Sequence, residues 1–558
     1  MTQSRLRAGV WSLALGLAVL VRLVGITHGT HVVYNADEPH ILHLAVSFGS
    51  GTLKPYALKY PTLWPYLLFF CYGLYFLAWS HLGLKHGIDA FASLYAWDPS
   101  SFILLARGLS AALSLLAAWV AWRTQREIDR ADKIPWAFLL LAFAPVAAEM
   151  SHTAKPDNLM LFFSACAWFW GIKVLRESSR RAHWACGAFL GLAAASQYTA
   201  FPLAAILPLA HVLSRRRPAR RFLWEGLGFA ALAFFLGSPY CVLNPGRFLA
   251  TLRDFSALNT MNSFSRWGMA CRILYKDLRF AGPWVLPGIA AAGGILALAF
   301  LRRERRLAVF LLAPPALYLL LLSTQFDGFV PRYSFAIYPG LAVAAAVGLS
   351  ELARDLVSWE SALAALILLG PGYADSWANA RHDALADTRD IAAAWIEKNV
   401  PQGSIILADQ THCDPRLVME KAEVEDLYEK TKASGSLRYR LYQAMLRTHP
   451  GGGYWIWLLP RSAADLVSNP SLVARSQADS PVLEAPPSRS LLRKKKIRYV
   501  IFSSFGATPE KSPELGNLFA DVPSAGKRIA RFEPVPGRIA GPVLDIYDLQ
   551  PNRKHRLP

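Results

Sequence analysis

Along the first two-thirds of the chain, apolar runs of roughly 14 to 21 residues alternate with short polar or basic connections, and runs near that length cross a bilayer as helices. The pattern predicts spans near residues 8–26, 102–122, 135–150, 158–172, 184–197, 199–213, 222–240, 284–301, 307–323, 334–350 and 361–374. One more run, Thr62 to Trp79, holds Pro65 and six aromatic residues between Trp64 and Tyr75, and reads as a helix in or dipping into the outer leaflet. After Pro371 the chain turns polar and stays so to Pro558. The expected architecture is an α-helical polytopic membrane protein of about eleven spans, residues 1–374, followed by a soluble α/β domain, residues 375–558. In that tail, Asp387 to Asn399 reads as an amphipathic helix leading into a strand, Ser404 to Ala408. Further strand-like runs lie at Tyr454–Leu459, Ile497–Ser503 and Val543–Tyr547, and a charged helical stretch, Leu417 to Leu446, separates the first two strands.

Charge orients this plan. Of the net +20, the tail contributes little, with 26 Lys+Arg against 21 Asp+Glu, and residues 1–374 carry 33 against 18. Seventeen of those 33 cations fall in four short runs, Arg123–Lys133, Lys173–Arg181, Arg215–Arg221 and Arg302–Arg306. Such clustering marks cytoplasmic loops, so the basicity sets topology and calls for no nucleic acid. Eleven crossings from a cytoplasmic N-terminus bearing Arg5 and Arg7 put the tail outside the cytoplasm, on the outer face of the inner membrane. Counting Thr62–Trp79 as a crossing would turn every basic loop outward, hence its interfacial reading. Arg22 interrupts the apolar core of the first segment and no small-x-small site follows, so that segment reads as a retained span. The six cysteines are not closely paired and suggest no metal site, although Cys241 and Cys271 fall at one predicted outer loop where a disulfide is conceivable.

The first outer loop, Thr27 to about Ser101, is long for a connection. It holds Tyr34-Asn35-Ala36-Asp37-Glu38-Pro39-His40, an acidic pair at a predicted helix start, with His40, His43, Ser47 and Ser50 on one face and Ile41, Leu44, Ala45 and Phe48 on another. That is the pattern of an amphipathic surface helix. The plain alternative for Asp37 and Glu38 is capping of a solvated helix. Asp157 follows Lys155-Pro156 in the second outer loop, and capping is again the alternative there. His28, His31, His40 and His43 lie near the pair, but interfacial histidines are common and no resident metal is expected. Arg332 enters the outer end of an apolar span, where a cation is costly unless it meets an anion or snorkels beside Tyr333. Arg247, Arg253, Arg266, Arg272, Lys276 and Arg279 add an outer basic rim, which suggests an anionic ligand.

Carboxylates, cations and a lipid-facing entrance suit glycosyl transfer from a polyprenyl phosphate. The leaving phosphate needs cations more than a proton, and the acceptor hydroxyl needs a carboxylate base. Over roughly Ala8 to Pro371 the chain resembles the lipid-linked-sugar glycosyltransferases of the GT-C fold, especially the bacterial protein-mannosyltransferase-like family that includes the lipid A aminoarabinose transferases. The resemblance rests on Asp37-Glu38, Lys59-Tyr60-Pro61, Lys155-Pro156-Asp157 and Arg332-Tyr333, in that order and on one side of the membrane. It implies Asp37 as catalytic base, Glu38 and Asp157 shaping the acceptor site, and Lys59 and Arg332 facing the donor phosphate. It further implies a metal-independent, inverting transfer from a polyprenyl-phosphate sugar to a lipid, glycan or protein acceptor. The family often has a double proline where this chain has Pro61-Thr62. A transporter or lipid flippase is the alternative, but it predicts paired mid-span breaks in two repeated halves, and no internal repeat is visible.

Overall fold

The computed structural model describes residues 3–32, 34–35, 37–81, 87–129, 134–259, 305–323, 331–352, 358–409, 412–436, 438–459, 482–483, 488–509, 512 and 515–550. The expected span at 284–301, Arg266, Arg272, Lys276, Arg279 and Cys271 lie outside them. Two compact units emerge, both discontinuous in sequence: Met1–Ile26, His40–Cys71 and Leu104–Arg381 form one, and Thr27–Pro39, Tyr72–Ile103 and His382–Pro558 the other.

The first unit is helical. Among the described residues three stretches are long and apolar enough to cross a membrane, Ser100–Ile128, Asp157–Glu177 and Arg332–Glu351, and Trp11–Leu23, Leu63–Trp79 and Tyr198–Leu213 are shorter apolar helices. The stretch expected to cross at 135–150 is instead two short helices, Trp136–Ala142 and Pro145–Ser151. Pro145 explains the break, because the residue before a proline avoids helical geometry and Ala144 is extended, at φ −65° and ψ 121°. Thr62–Trp79 forms one uninterrupted helix, Leu63–Trp79. The last helix, Ser358–Asp383, runs straight through the compositional change at residues 374–375.

Close packing here depends on small residues. Gly187 and Gly191, four apart on helix Arg180–Ser196, face Gly226 and Ala230 on helix Arg220–Gly237. A Cβ on Gly187 would stand 1.8 Å from the Gly226 carbonyl oxygen, and one on Gly191 2.1 Å from that of Ala230. Backbones this near are the device by which helices associate without a hydrophobic driving force. Arg22 is wholly buried, and its guanidinium donates to Ser114 Oγ at 3.0 and 3.2 Å and to the Ala18 carbonyl at 2.8 Å. These bonds spread the cost of a cation inside the bundle.

The second unit is built on a five-stranded sheet. Strands β2 (Ile405–Ala408), β3 (Trp455–Leu458) and β4 (Tyr499–Ser503) run parallel, and β7 (Leu544–Asp548) is antiparallel to β4 and to β5 (Lys527–Phe532), in the order β3-β2-β4-β7-β5. A small parallel pair, β1 (Ala386–Asp387) with β6 (Ile539–Ala540), completes it. The alternation of strand side chains divides the core in two: Ile406, Tyr499, Ile501, Leu544 and Ile546 pack with Ala392 and Ile396 of helix Thr388–Asn399, and Leu407 and Val500 pack with Leu492, Leu518 and Val522. β2, β3, β4 and β7 fall on the four strand-like runs read from the sequence. β5 was not anticipated, for Lys527-Arg528-Ile529-Ala530-Arg531-Phe532 carries three cations. It is an edge strand with a register shift at Arg528/Ala530, and charge and irregularity both discourage pairing with another chain.

Part of the long segment between residues 27 and 101 belongs to this same unit. Helix Ile88–Trp97 sends Ala96 into a cluster with Val424, Leu427, Tyr442 and Met445. Ser93 Oγ donates to the Ala444 carbonyl at 3.0 Å and Trp97 Nε1 to that of Met445 at 3.3 Å.

Candidate functional site

Asp37 and Glu38 lie at the end of the Thr27–Pro39 segment of the second unit. Asn35 builds the turn before them. Its side-chain oxygen accepts from the Asp37 N–H at 3.1 Å and its carbonyl from that of Glu38 at 3.2 Å, so the pair enters helix Glu38–Ser47 on an Asx turn. Asp37 is half-buried, whereas Glu38 is fully buried. The helix is not the surface element expected: Ile41, Leu42, Leu44 and Ala45 are buried, and His40, His43 and Ser47 are half-buried, leaving no exposed residue along it. Both of its faces are packed. A solvated cap therefore does not describe Glu38.

Upstream, Tyr34 is clasped. Gly29, at φ +57°, lets the chain fold over the ring; a Cβ there would stand 2.4 Å from Tyr34 Cδ2. On the ring lies the Arg389 guanidinium, 3.3 Å from its centroid. Arg389 is buried and holds Asp387 with two prongs, Nε to Oδ1 at 2.8 Å and Nη2 to Oδ2 at 2.7 Å, and its Nη1 donates to the His412 carbonyl at 2.6 Å. Asp387 caps helix Thr388–Asn399 by accepting from the Arg389 N–H at 2.9 Å. Asp390, in the same first turn, accepts from the Tyr34 hydroxyl and meets His31 Nε2 at 3.0 Å. Arg416 donates to the His31 carbonyl at 2.7 Å. The Asp390 bond raises the His31 pKa, and although burial pushes Asp390 upward, its bonds to His31 and Tyr34 outweigh that and leave it below the usual carboxylate value. His28 lies 3.9 Å from Asp387, so two of the four histidines near the acidic pair serve carboxylates of the tail.

The remaining sequence-identified residues belong to the first unit, and its packing gathers their elements. Lys59 lies 5.7 Å from the Tyr60 ring centroid, and that ring meets His40 at 6.1 Å. Thr62 explains the missing second proline, because its N–H donates to Ser238 Oγ at 3.2 Å and its hydroxyl to the Gly237 carbonyl at 3.1 Å. Proline offers neither donor. Tyr198 ties the Lys59 loop down, its hydroxyl donating to the Leu58 carbonyl at 3.1 Å and meeting Cys241 Sγ at 3.2 Å. Trp64, fully buried, donates from Nε1 to the Ala154 carbonyl at 2.9 Å, directly before Lys155. Lys155 and Asp157 are buried, Asp157 in the first turn of helix Asp157–Glu177. That helix packs on the 3-10 segment Pro331–Ile337, where Arg332 lies 5.6 Å from the Tyr333 ring and Tyr318 donates to the Tyr333 carbonyl at 2.6 Å. The same 3-10 segment packs on Tyr198–Ala205. Lys59-Tyr60, Lys155-Asp157 and Arg332-Tyr333 thus stand on mutually packed elements, while Asp37 and Glu38 belong to the other unit.

Trp64, Tyr198, Tyr34 and Arg389 received no role from the sequence. For Arg389 a signal existed: a cation in a helix's first turn opposes the helix dipole and points to a separate task.

Residues 102–240 match the family model for dolichyl-phosphate-mannose-protein mannosyltransferase. No curated protein matches the chain in sequence. Among solved structures, ArnT from Cupriavidus metallidurans bound to undecaprenyl phosphate is similar at TM-score 0.53 and 15% identity, over 96% of this chain and 98% of that one. Its apo state gives 0.52 and 14%, over 97% and 98%. Over nearly its whole length, the chain therefore has the fold of ArnT, the GT-C architecture, with a mannosyltransferase-like segment at 102–240.

Proposed function

We propose that this protein is a membrane glycosyltransferase that moves a sugar from a polyprenyl-phosphate donor to a lipid, glycan or protein acceptor on the outer face of the cytoplasmic membrane. The whole-length fold match to a protein whose structure holds undecaprenyl phosphate carries this reading. An apolar groove of about 510 Å³ in the first unit, lined by Leu53, Tyr66, Phe69, Leu236, Tyr240 and Leu243, suits a prenyl tail. Leu53 and Tyr66 flank the loop that holds Lys59, and Arg247 donates to the Tyr56 carbonyl in that loop. In the proposed reaction Asp37 takes the acceptor hydroxyl's proton as the oxygen bonds to the anomeric carbon. The bond from that carbon to the phosphate oxygen breaks, and the phosphate leaves with the electron pair, its charge met by Lys59 and Arg332, with inversion at the sugar. Glu38 and Asp157 shape the acceptor side, and Tyr60, Lys155 and Tyr333 complete the substrate contacts. No resident metal takes part. The proposal includes eleven crossings, one of them made by the broken pair Trp136–Ala142 and Pro145–Ser151, and an extracytoplasmic tail.

Asp37→Asn tests it. The variant should fold and express normally but lose turnover by about a hundredfold or more, measured as undecaprenyl phosphate released from an undecaprenyl-phosphate-linked sugar that the parent consumes. Near-normal turnover would remove Asp37 as base, and Glu38→Gln, assayed separately, shows whether its neighbour holds the role.

A further inference from the structure

The first turn of a tail helix grips the segment that leads to the acidic pair. Arg389 and Asp390 place their side chains on Tyr34, and Asp387, at the cap, holds Arg389. Arg389 is only 4% exposed in its side chain, its Nε and both terminal nitrogens donate, and its flat face lies on an aromatic ring. Planar stacking together with two-pronged carboxylate binding is a geometry that lysine cannot reproduce. The Tyr34 ring carries this guanidinium on its face and touches the bare Cα of Gly29, and its hydroxyl is held by Asp390. Asp37 is three positions after Tyr34, and three steps of chain span at most about 11 Å. Fixing the tyrosine therefore confines Asp37 to a small region, and the Asx turn at Asn35 narrows it further.

We propose that Arg389 and Tyr34 are positioning residues for the transfer reaction: the tail acts as a clamp that sets the Asp37-Glu38 segment in its working place. The clamp explains why the outer domain belongs to the same compact unit as the loop at 27–39. It builds on the reading of that acidic segment as the catalytic carboxylate source, and touches neither the donor nor the acceptor. Displacing a catalytic group by about 1 Å costs turnover on the order of a hundredfold, so a loosened clamp should show in the catalytic step.

The test uses full-length protein in detergent with Arg389→Ala, Arg389→Lys, Tyr34→Leu, Tyr34→Phe and Gly29→Ala. Gly29→Ala disturbs the ring without altering either clamp residue, and remains informative if Arg389→Ala fails to fold. Three quantities are measured: hydrogen exchange in peptides covering 27–39, turnover of an undecaprenyl-phosphate-linked sugar, and affinity for undecaprenyl phosphate. Arg389→Ala and Tyr34→Leu should speed exchange at 27–39, leave helix Lys421–Ala433 protected, and lower turnover roughly tenfold to a hundredfold. Undecaprenyl phosphate affinity should stay within about twofold, because the clamp does not hold the donor. Tyr34→Phe keeps the stacked ring and should retain most turnover, whereas Arg389→Lys should not rescue it. Unchanged exchange in all five variants overturns the clamp. So does faster exchange at 27–39 with parental turnover. Asp37→Asn is the control that separates the two readings: it should lose turnover while exchange at 27–39 stays parental. If Asp37→Asn is active but the clamp variants are slow, the base assignment falls and the clamp stands.

Discussion

Glu423 offers a quantitative check on the tail. It is 3% exposed, and both carboxyl oxygens lie 3.1 Å from the Ile456 nitrogen on β3. Among the described residues β3 is an edge of the five-stranded sheet, bridged only singly, at Tyr454 to Met419 and at Leu458 to Val482, and Glu423 covers the Ile456 N–H between these bridges. Burial pushes the carboxyl from 4.5 to about 8, the Ile456 bond pulls it down, and Asp426 and Glu420 nearby raise it. The folded protein thus holds a proton here that the unfolded chain releases near pH 4.5. Stability from this site is fully present below that pH and falls as pH rises towards 8, at about 1.4 kcal/mol per pH unit. Glu423→Gln mimics the protonated acid and does not titrate. Its advantage over the parent should be near zero at pH 4.5 and grow to about 4 kcal/mol by pH 8. Urea unfolding in detergent, followed by hydrogen exchange in peptides covering 421–433 and 455–458, measures this. Glu423→Ala strips the acceptor from Ile456 and should cost about 1–3 kcal/mol even at pH 5. If parent and Glu423→Gln change in parallel from pH 5 to pH 8, the buried neutral carboxyl is refuted.

Arg332→Lys should weaken donor use partially and Arg332→Ala severely, by roughly 2 to 4 kcal/mol in transition-state stabilisation. Identical saturation curves in detergent for Arg332→Ala and the parent would leave Arg332 as a membrane anchor only. An extracytoplasmic reporter phosphatase fused after Leu549 should be active and one fused after Arg217 silent, and the reverse would overturn the topology. Because the folded His31 pKa is raised and that of Asp390 lowered, their pairing contributes most between about pH 4 and 6.5 and weakens outside that window. Protection at 27–39, taken relative to the intrinsic exchange rate at each pH, should accordingly be greatest within it, and His31→Gln should abolish that maximum.

Local pattern was the legible part of this chain. Helix Thr388–Asn399 begins one residue after its predicted start, where Asp387 serves as the cap, and the apolar face of Ile41, Leu44, Ala45 and Phe48 is buried as its spacing implied. What escaped the reading was long-range. Nothing in the order of residues announces that Ile88–Trp97 packs on helices beyond residue 420, or that Arg389 reaches Tyr34, since those pairings depend on surfaces made only in the folded chain. The break at Ala144 was visible in Pro145, but the hydropathy of 135–150 overrode it. Lys155 and Asp157 read as loop polarity and proved buried, because Trp64 and the Pro331–Ile337 segment pack around their loop and helix.

The clasp between His31 and Asp390 joins residues 359 apart in the chain. A ribosome adding about 5–20 residues per second needs tens of seconds to travel that interval. During this time the acidic segment has already been made but lacks the tail contacts to His31 and Tyr34. Under the proposed clamp, completion of the polypeptide becomes a quality checkpoint: the segment 27–39 can be set only once residue 390 has been made.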